Sequence, residues 1–160
     1  MNIVLIGMPG CGKTTLGGLL ASELGREFFD SDEEIERRAG RAIPEMFAAE
    51  GEDYFRTLET ACIEALLGKD GIVLSVGGGA VERNAKLLQK GFVIHIDREI
   101  DEILKTLAPG TRPLLEGGAR EKLESLHARR AEMYARCRHA RIENNGGINA
   151  ALDAAKGVLP

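Results

Sequence analysis

Residues 2–15 read NIVLIGMPGCGKTT. A short β-branched apolar run, Asn2–Ile6, reads as a buried strand. It empties into Gly7–Thr14, which fits the spacing G-x-x-x-x-G-K-[ST]. Glycines at those positions let successive backbone N–H groups turn inward around a phosphate. Lys13–Leu24 follows with Leu16, Leu19, Leu20 and Leu24 at helical spacing, so the positive end of a helix faces the same point. Gly10, Cys11, Gly12, Lys13, Thr14 and Thr15 are therefore candidate phosphate contacts. Lys13 has the reach for β- and γ-phosphates, and the Thr14 hydroxyl is a candidate Mg²⁺ ligand.

Working outward, short apolar runs alternate with helical periods. The runs at Glu27–Asp30, Gly71–Val76, Phe92–Asp97 and Ala140–Glu143 read as further strands. Ser31–Ala39, Pro44–Leu67 (broken near Gly51), Asp101–Leu107, Glu121–Arg136 and Ile148–Gly157 read as helices. Such alternation predicts a parallel sheet with helices on both faces, an α/β/α sandwich, over one domain covering 1–160. Ligands in this architecture bind beyond the carboxyl ends of the strands. Three segments fall there: the first glycine turn, Asp30-Ser31-Asp32, and the triple glycine within VLSVGGGAVERN (73–84). The triple glycine does not continue as a dinucleotide turn, because Glu82 stands where G-x-G-x-x-G starting at Gly77 needs a third glycine. No N-K-x-D base-reading motif of a GTPase occurs. With phosphates assigned to the first turn, Gly77–Gly79 is free to admit an acceptor against bare backbone.

The bulk properties narrow the class further. Hydrophobic residues make up 44% and charged residues 29%, and the net charge is −4, which points away from nucleic acid. No apolar run approaches the roughly 20 residues needed to span a bilayer. Cys11, Cys62 and Cys137 are too scattered for a disulfide framework or a zinc site and suit a reducing cytoplasm.

Several charged residues are candidates for chemistry. Asp30 and Asp32 can divide labour, one near Mg²⁺ and the other on an acceptor hydroxyl. Asp30 also suits a helix N-cap. Arg56 has Glu59 three residues on, within reach of its guanidinium. Arg112, in the Pro/Gly-rich loop APGTRPLLEGG, suits a lid. Arg129 and Arg130 share a helix whose ordinary reading is a solvated basic face. His95 reads as a near-core residue. Cys11, beside Lys13 and inward-facing amides, is a candidate reactive thiol.

GMPGCGKTT, FFDSDEEIE, GEDYFRTLE, VLSVGGGAV, RPLL and RRAEMY, in this order, resemble the shikimate kinase family over nearly the whole chain. The resemblance implies a nucleoside monophosphate kinase-like P-loop fold with a five-stranded parallel sheet. It implies a shikimate-binding region near 31–60 and a lid near 107–118. It also implies MgATP-dependent phosphorylation of the shikimate 3-hydroxyl by a cytoplasmic monomer that needs no membrane or nucleic acid. By position it implies Lys13, Asp32 and Arg112 as catalytic and Asp30 with Thr14 at Mg²⁺. Asp32, Arg56, Gly78, Gly79 and Arg130 fall at the shikimate positions. Lys105 stands where many members carry an arginine near adenine, and NNGGINA replaces a more basic adenine loop. The alternatives are another small-metabolite kinase of the fold, for gluconate or a nucleoside monophosphate, and a non-catalytic nucleotide-binding module.

Overall fold

The computed structural model describes residues 1–106 and 118–160. Five strands, β1 (Ile3–Ile6), β2 (Phe28–Asp30), β3 (Val73–Ser75), β4 (Phe92–Asp97) and β5 (Ala140–Glu143), form one sheet in the order β2-β3-β1-β4-β5. Every pairing is parallel. The helices are α1 (Lys13–Leu24), α2 (Ser31–Ala39), α3 (Ile43–Glu50), α4 (Glu52–Leu67), α5 (Val81–Leu88), α6 (Ile100–Thr106), α7 (Ala119–Cys137) and α8 (Ile148–Gly157). The third strand is shorter than Gly71–Val76, and the long Pro44–Leu67 period splits at Gly51 into α3 and α4, where φ is +86°.

Strand alternation divides the core. Ile3 and Leu5 of β1 pack with Leu16 and Leu20 of α1 and Ala151 and Ala155 of α8 on one face. Val4 and Ile6 point the other way, into a cluster with Ile63 and Leu66 of α4, Leu88 of α5 and Tyr134 of α7. Burying both sides of a strand demands the unbroken apolar run that β1 carries. This packing fixes the strand ends. Ile6, Asp30, Ser75 and Asp97 all finish at one edge of the sheet, and each hands the chain to a segment lining the same cleft. Among the described residues no helix is long and apolar enough to cross a membrane.

Candidate active site

The first wall of the cleft is the turn after β1. Gly7, Gly10 and Gly12 hold φ of 150°, 77° and 98°, a region that L side chains rarely adopt. Contact adds a second requirement. A Cβ on Gly7 would lie 2.4 Å from the Ile96 carbonyl oxygen, and one on Gly12 would lie 2.5 Å from Asn144 Nδ2. The Lys13 ammonium curls along the turn and donates to the Gly7 and Met8 carbonyls at 2.9 and 3.0 Å. Cys11 is fully buried, with Sγ 3.6 Å from Lys13 Nζ. Its side chain thus faces the interior, and solvent access for a reactive thiol is closed. The thiol fits here as a small core residue, and what it offers a phosphate is its backbone.

Asp30 takes the helix-cap role that the sequence offered, and its second carboxylate oxygen meets Thr14. It caps α2, its Oδ1 accepting from Asp32 N and Glu33 N at 3.0 and 3.3 Å, and its Oδ2 accepts from the Thr14 hydroxyl at 2.8 Å. A hydroxyl and a carboxylate side by side are hard oxygen donors of the kind Mg²⁺ takes. No cluster of three or more metal-binding side chains exists among the described residues. Asp32, two residues on, is partly buried; burial, reinforced by neighbouring Asp30, pushes its pKa up to about 6, against the pull of Lys13.

The second wall is the triple glycine, and each glycine faces a different neighbour. A Cβ on Gly77 would sit 2.9 Å from Asp32 Oδ1 and 3.3 Å from Glu59 Oε2. One on Gly78 would meet Pro9 at 3.1 Å and Arg130 Nη1 at 3.2 Å. One on Gly79 would meet Arg56 Nη2 at 2.4 Å and Arg130 Nη2 at 2.9 Å. The loop is pinned from below, since Gly77 N donates to Ser31 Oγ at 3.2 Å and Tyr134 OH donates to the Gly78 carbonyl at 2.7 Å. Arg56 is no surface ion pair. It and Glu59 are both buried, and Arg56 Nη1 donates to Glu59 Oε1 at 2.7 Å. Burial raises the Glu59 pKa despite that bond, while pairing raises that of Arg56 against its own burial. Glu59 Oε2 has no partner among the described residues.

The structure therefore brings Gly10, Gly12, Lys13, Thr14, Thr15, Asp30, Asp32 and Gly78 to one cleft of about 550 Å³, while Gly79, Arg56 and Arg130 do not line that cleft but cluster next to Gly78. Arg112 and the lid reading over 107–117 lie outside the described residues. Lys105 is exposed and bonded to Glu102 at 2.7 Å. His95 is near-core as read: it stacks on Tyr134 at 4.9 Å, and burial lowers its pKa to about 4. Sequence reasoning missed four residues. Asn144 donates to the Cys11 carbonyl at 2.9 Å, and Arg98 donates to the Gly10 carbonyl at 3.2 Å, so both brace the first turn. Tyr134 braces the second, and Glu82 holds Arg130 beside it. All four are single polar residues whose partners lie far away along the chain. The one local hint was the place of Asn144 and Arg98 just after strands.

A P-loop turn on the central strand, an acid lining the same small cleft and two guanidiniums converging on the glycine beside it are the features of a P-loop phosphotransferase with a small-molecule acceptor. The comparisons with known proteins carry this to a family. The model of the family described as shikimate kinase matches residues 9–155. A shikimate kinase of Clostridium beijerinckii is 39% identical over 161 residues, covering 99% of this chain and 94% of the relative. The structure of a shikimate kinase from Acinetobacter baumannii in complex with shikimate superposes with a TM-score of 0.89 at 41% identity, covering 98% of this chain and 89% of that one. A gluconokinase from Sinorhizobium meliloti reaches a TM-score of 0.62 at 18% identity over 96% of this chain and 88% of that one, a likeness of fold alone. The chain belongs to the shikimate kinase family of ATP-dependent kinases.

Proposed function

We propose that this chain transfers the γ-phosphoryl group of MgATP to the 3-hydroxyl of shikimate, giving shikimate 3-phosphate and ADP, with Asp32, Arg56, Gly78, Gly79 and Arg130 holding the acceptor. One observation carries the assignment of the acceptor wall: Arg56 Nη2 and Arg130 Nη2 both lie within 3 Å of the point where a Gly79 Cβ would stand. Two guanidiniums focused on side-chain-free backbone make a receptor for a carboxylate on a ring that must approach closely.

With its carboxylate there, the ring extends towards Gly77 and Asp32. Asp32 orients the acceptor hydroxyl and takes its proton as oxygen attacks phosphorus, and a carboxylate raised to about 6 is better matched to that task near neutral pH than an ordinary one. Lys13 and the amides of Gly10–Thr15 offset charge on the transferring group. Thr14 and Asp30 would hold Mg²⁺, which supplies charge neutralisation at the β- and γ-phosphates when bound. Arg112, which by sequence falls where the family carries its lid arginine, would add a further cation and help exclude water. The negative net charge suits a monomer with no nucleic-acid partner, and three buried free cysteines suit the cytoplasm.

The test is ADP release with shikimate, gluconate and nucleoside monophosphates compared side by side. Turnover with shikimate alone is expected. ATP binding without shikimate-dependent turnover would overturn the reading.

A further inference from the structure

We propose that Glu82 is a positioning residue: it grips Arg130 from behind so that the Nη1–Nη2 edge of the guanidinium faces the acceptor's carboxylate. The inference rests on the reading that Arg130 binds that carboxylate. Arg130 Nε donates to Glu82 Oε1 at 3.0 Å, and Arg129 Nη2 donates to Glu82 Oε2 at 2.8 Å. The Glu82 and Arg130 side chains are only 12% and 10% exposed, so this is a nearly buried pair and not a surface one. With Nε on Glu82, the Nη1–Nη2 edge of Arg130 points at Gly78 and Gly79, beside the Tyr134 hydroxyl.

Arg56 repeats the pattern. Glu59 holds its Nη1 and leaves Nη2 at Gly79. The two grips differ in origin. Glu59 lies three residues from Arg56 on the same helix, whereas Glu82 reaches Arg130 from α5, which starts directly after the triple glycine. Helix α5 is also tied to α4 by Thr60 Oγ1 donating to Asn84 Oδ1 at 2.8 Å. It thus bridges the helices that carry the two arginines, and Glu82 couples the aim of Arg130 to the position of the loop. Without its charge, Arg129 and Arg130 would repel one another, and the Arg130 guanidinium would be free to swing off the site. An acid in the first turn of α5 also favours the helix dipole, but that role would change stability alone.

The experiment measures initial rates with shikimate and ATP varied, and Tm, for Glu82→Ala, Glu82→Gln, Arg129→Ala, Arg130→Ala and the Glu82→Ala/Arg130→Ala double variant. Glu82→Ala is expected to raise the shikimate KM roughly tenfold, with kcat and the ATP KM within about twofold. Glu82→Gln, whose amide oxygen still accepts from Nε, should give roughly threefold and carries the test if the alanine variant folds poorly. Arg129→Ala should leave the shikimate KM within about twofold, because Arg130 is the route. Arg130→Ala should raise it further, roughly a hundredfold, and Glu82→Ala on top of it should add nothing. A fall in Tm with unchanged KM values, or a full Glu82→Ala effect persisting without Arg130, would overturn the proposal. An unchanged shikimate KM in Arg130→Ala alone would sink the carboxylate reading itself, and this inference with it.

Discussion

The two glycine-rich turns of this protein follow parallel strands side by side in the sheet, yet they use glycine for different reasons. In the first, Gly7, Gly10 and Gly12 all have positive φ, so the backbone path itself requires them. In the second, none of Gly77, Gly78 and Gly79 has positive φ, and alanine would fit their backbone. What alanine lacks there is room, because the space above each glycine is already shared by Asp32 and Glu59, by Pro9 and Arg130, or by Arg56 and Arg130. One turn is a shape made by conformation, and the other is a floor made by leaving side chains out. In the proposed reaction the first curls amides around an anion, and the second offers flat backbone to a ring while cations are supplied from elsewhere.

Asp32 stands between the two turns, and its loss should have the largest effect. Asp32→Asn should lower kcat by roughly 10²–10⁴. The kcat/KM profile for shikimate should fall as pH drops through about 6 in the wild type, since the base must be deprotonated, and that limb should vanish in the variant. A loss below about threefold would make Asp32 a positioning group. Stability should move the other way. The folded pKa lies above the ordinary value of 3.8, so Asp32 favours folding fully below that value and loses the advantage as pH rises through about 6. At pH 8 the variant should therefore melt above the wild type, by a free energy of at most roughly 3 kcal/mol, and the gap should close near pH 4.

A pair of alanines tests the comparison directly. Gly12→Ala meets both a φ of 98° and Asn144 at 2.5 Å, so it should lower Tm and raise the ATP KM by roughly tenfold or more. Gly79→Ala meets only guanidinium ends. Its backbone is unstrained and Tm should hardly move, but the methyl displaces Arg56 and Arg130 from their common focus. The shikimate KM should rise roughly thirtyfold with the ATP KM within about twofold. Equal weakening of both substrates in either variant would erase the distinction between the turns.

How much of this was legible in the sequence follows the range of each interaction. The path of the first turn was readable, because G-x-x-x-x-G-K-T, its strand and its helix are contiguous, and the α1 and α2 boundaries fell where the periods placed them, but its tethers to Arg98 and Asn144 were not. Arg56 with Glu59 was readable because i, i+3 neighbours on a helix meet whatever the rest of the chain does. Glu82 with Arg130 was not, since the two are 48 residues apart and nothing local marks Glu82 as other than a helix acid. Likewise, no spacing announces that Tyr134 reaches back to the Gly78 carbonyl. The resemblance to shikimate kinases supplied Arg130, which periodicity would have left on a solvated face, and singled out Gly78 and Gly79 within a triple glycine that chain order had already offered to an acceptor.

Asn144 gives the smallest predicted effect and the finest test of the first turn. Its buried amide donates to the Cys11 carbonyl at 2.9 Å from just beyond β5, so the conformation of the turn is held partly from outside its own sequence. Asn144→Ala leaves that carbonyl without its donor, a cost of about 1–3 kcal/mol, which for a domain of this size lowers Tm by several degrees. The ATP KM should rise only about threefold, since the φ angles that shape the turn belong to glycines that remain. The shikimate KM should not change, because nothing in the second turn touches Asn144. If the ATP KM rose as far as in Gly12→Ala, the turn would owe its shape to this tether and not to its glycines. A shift in the shikimate KM alone would show that the two walls share a support that the hydrogen-bond pattern does not contain.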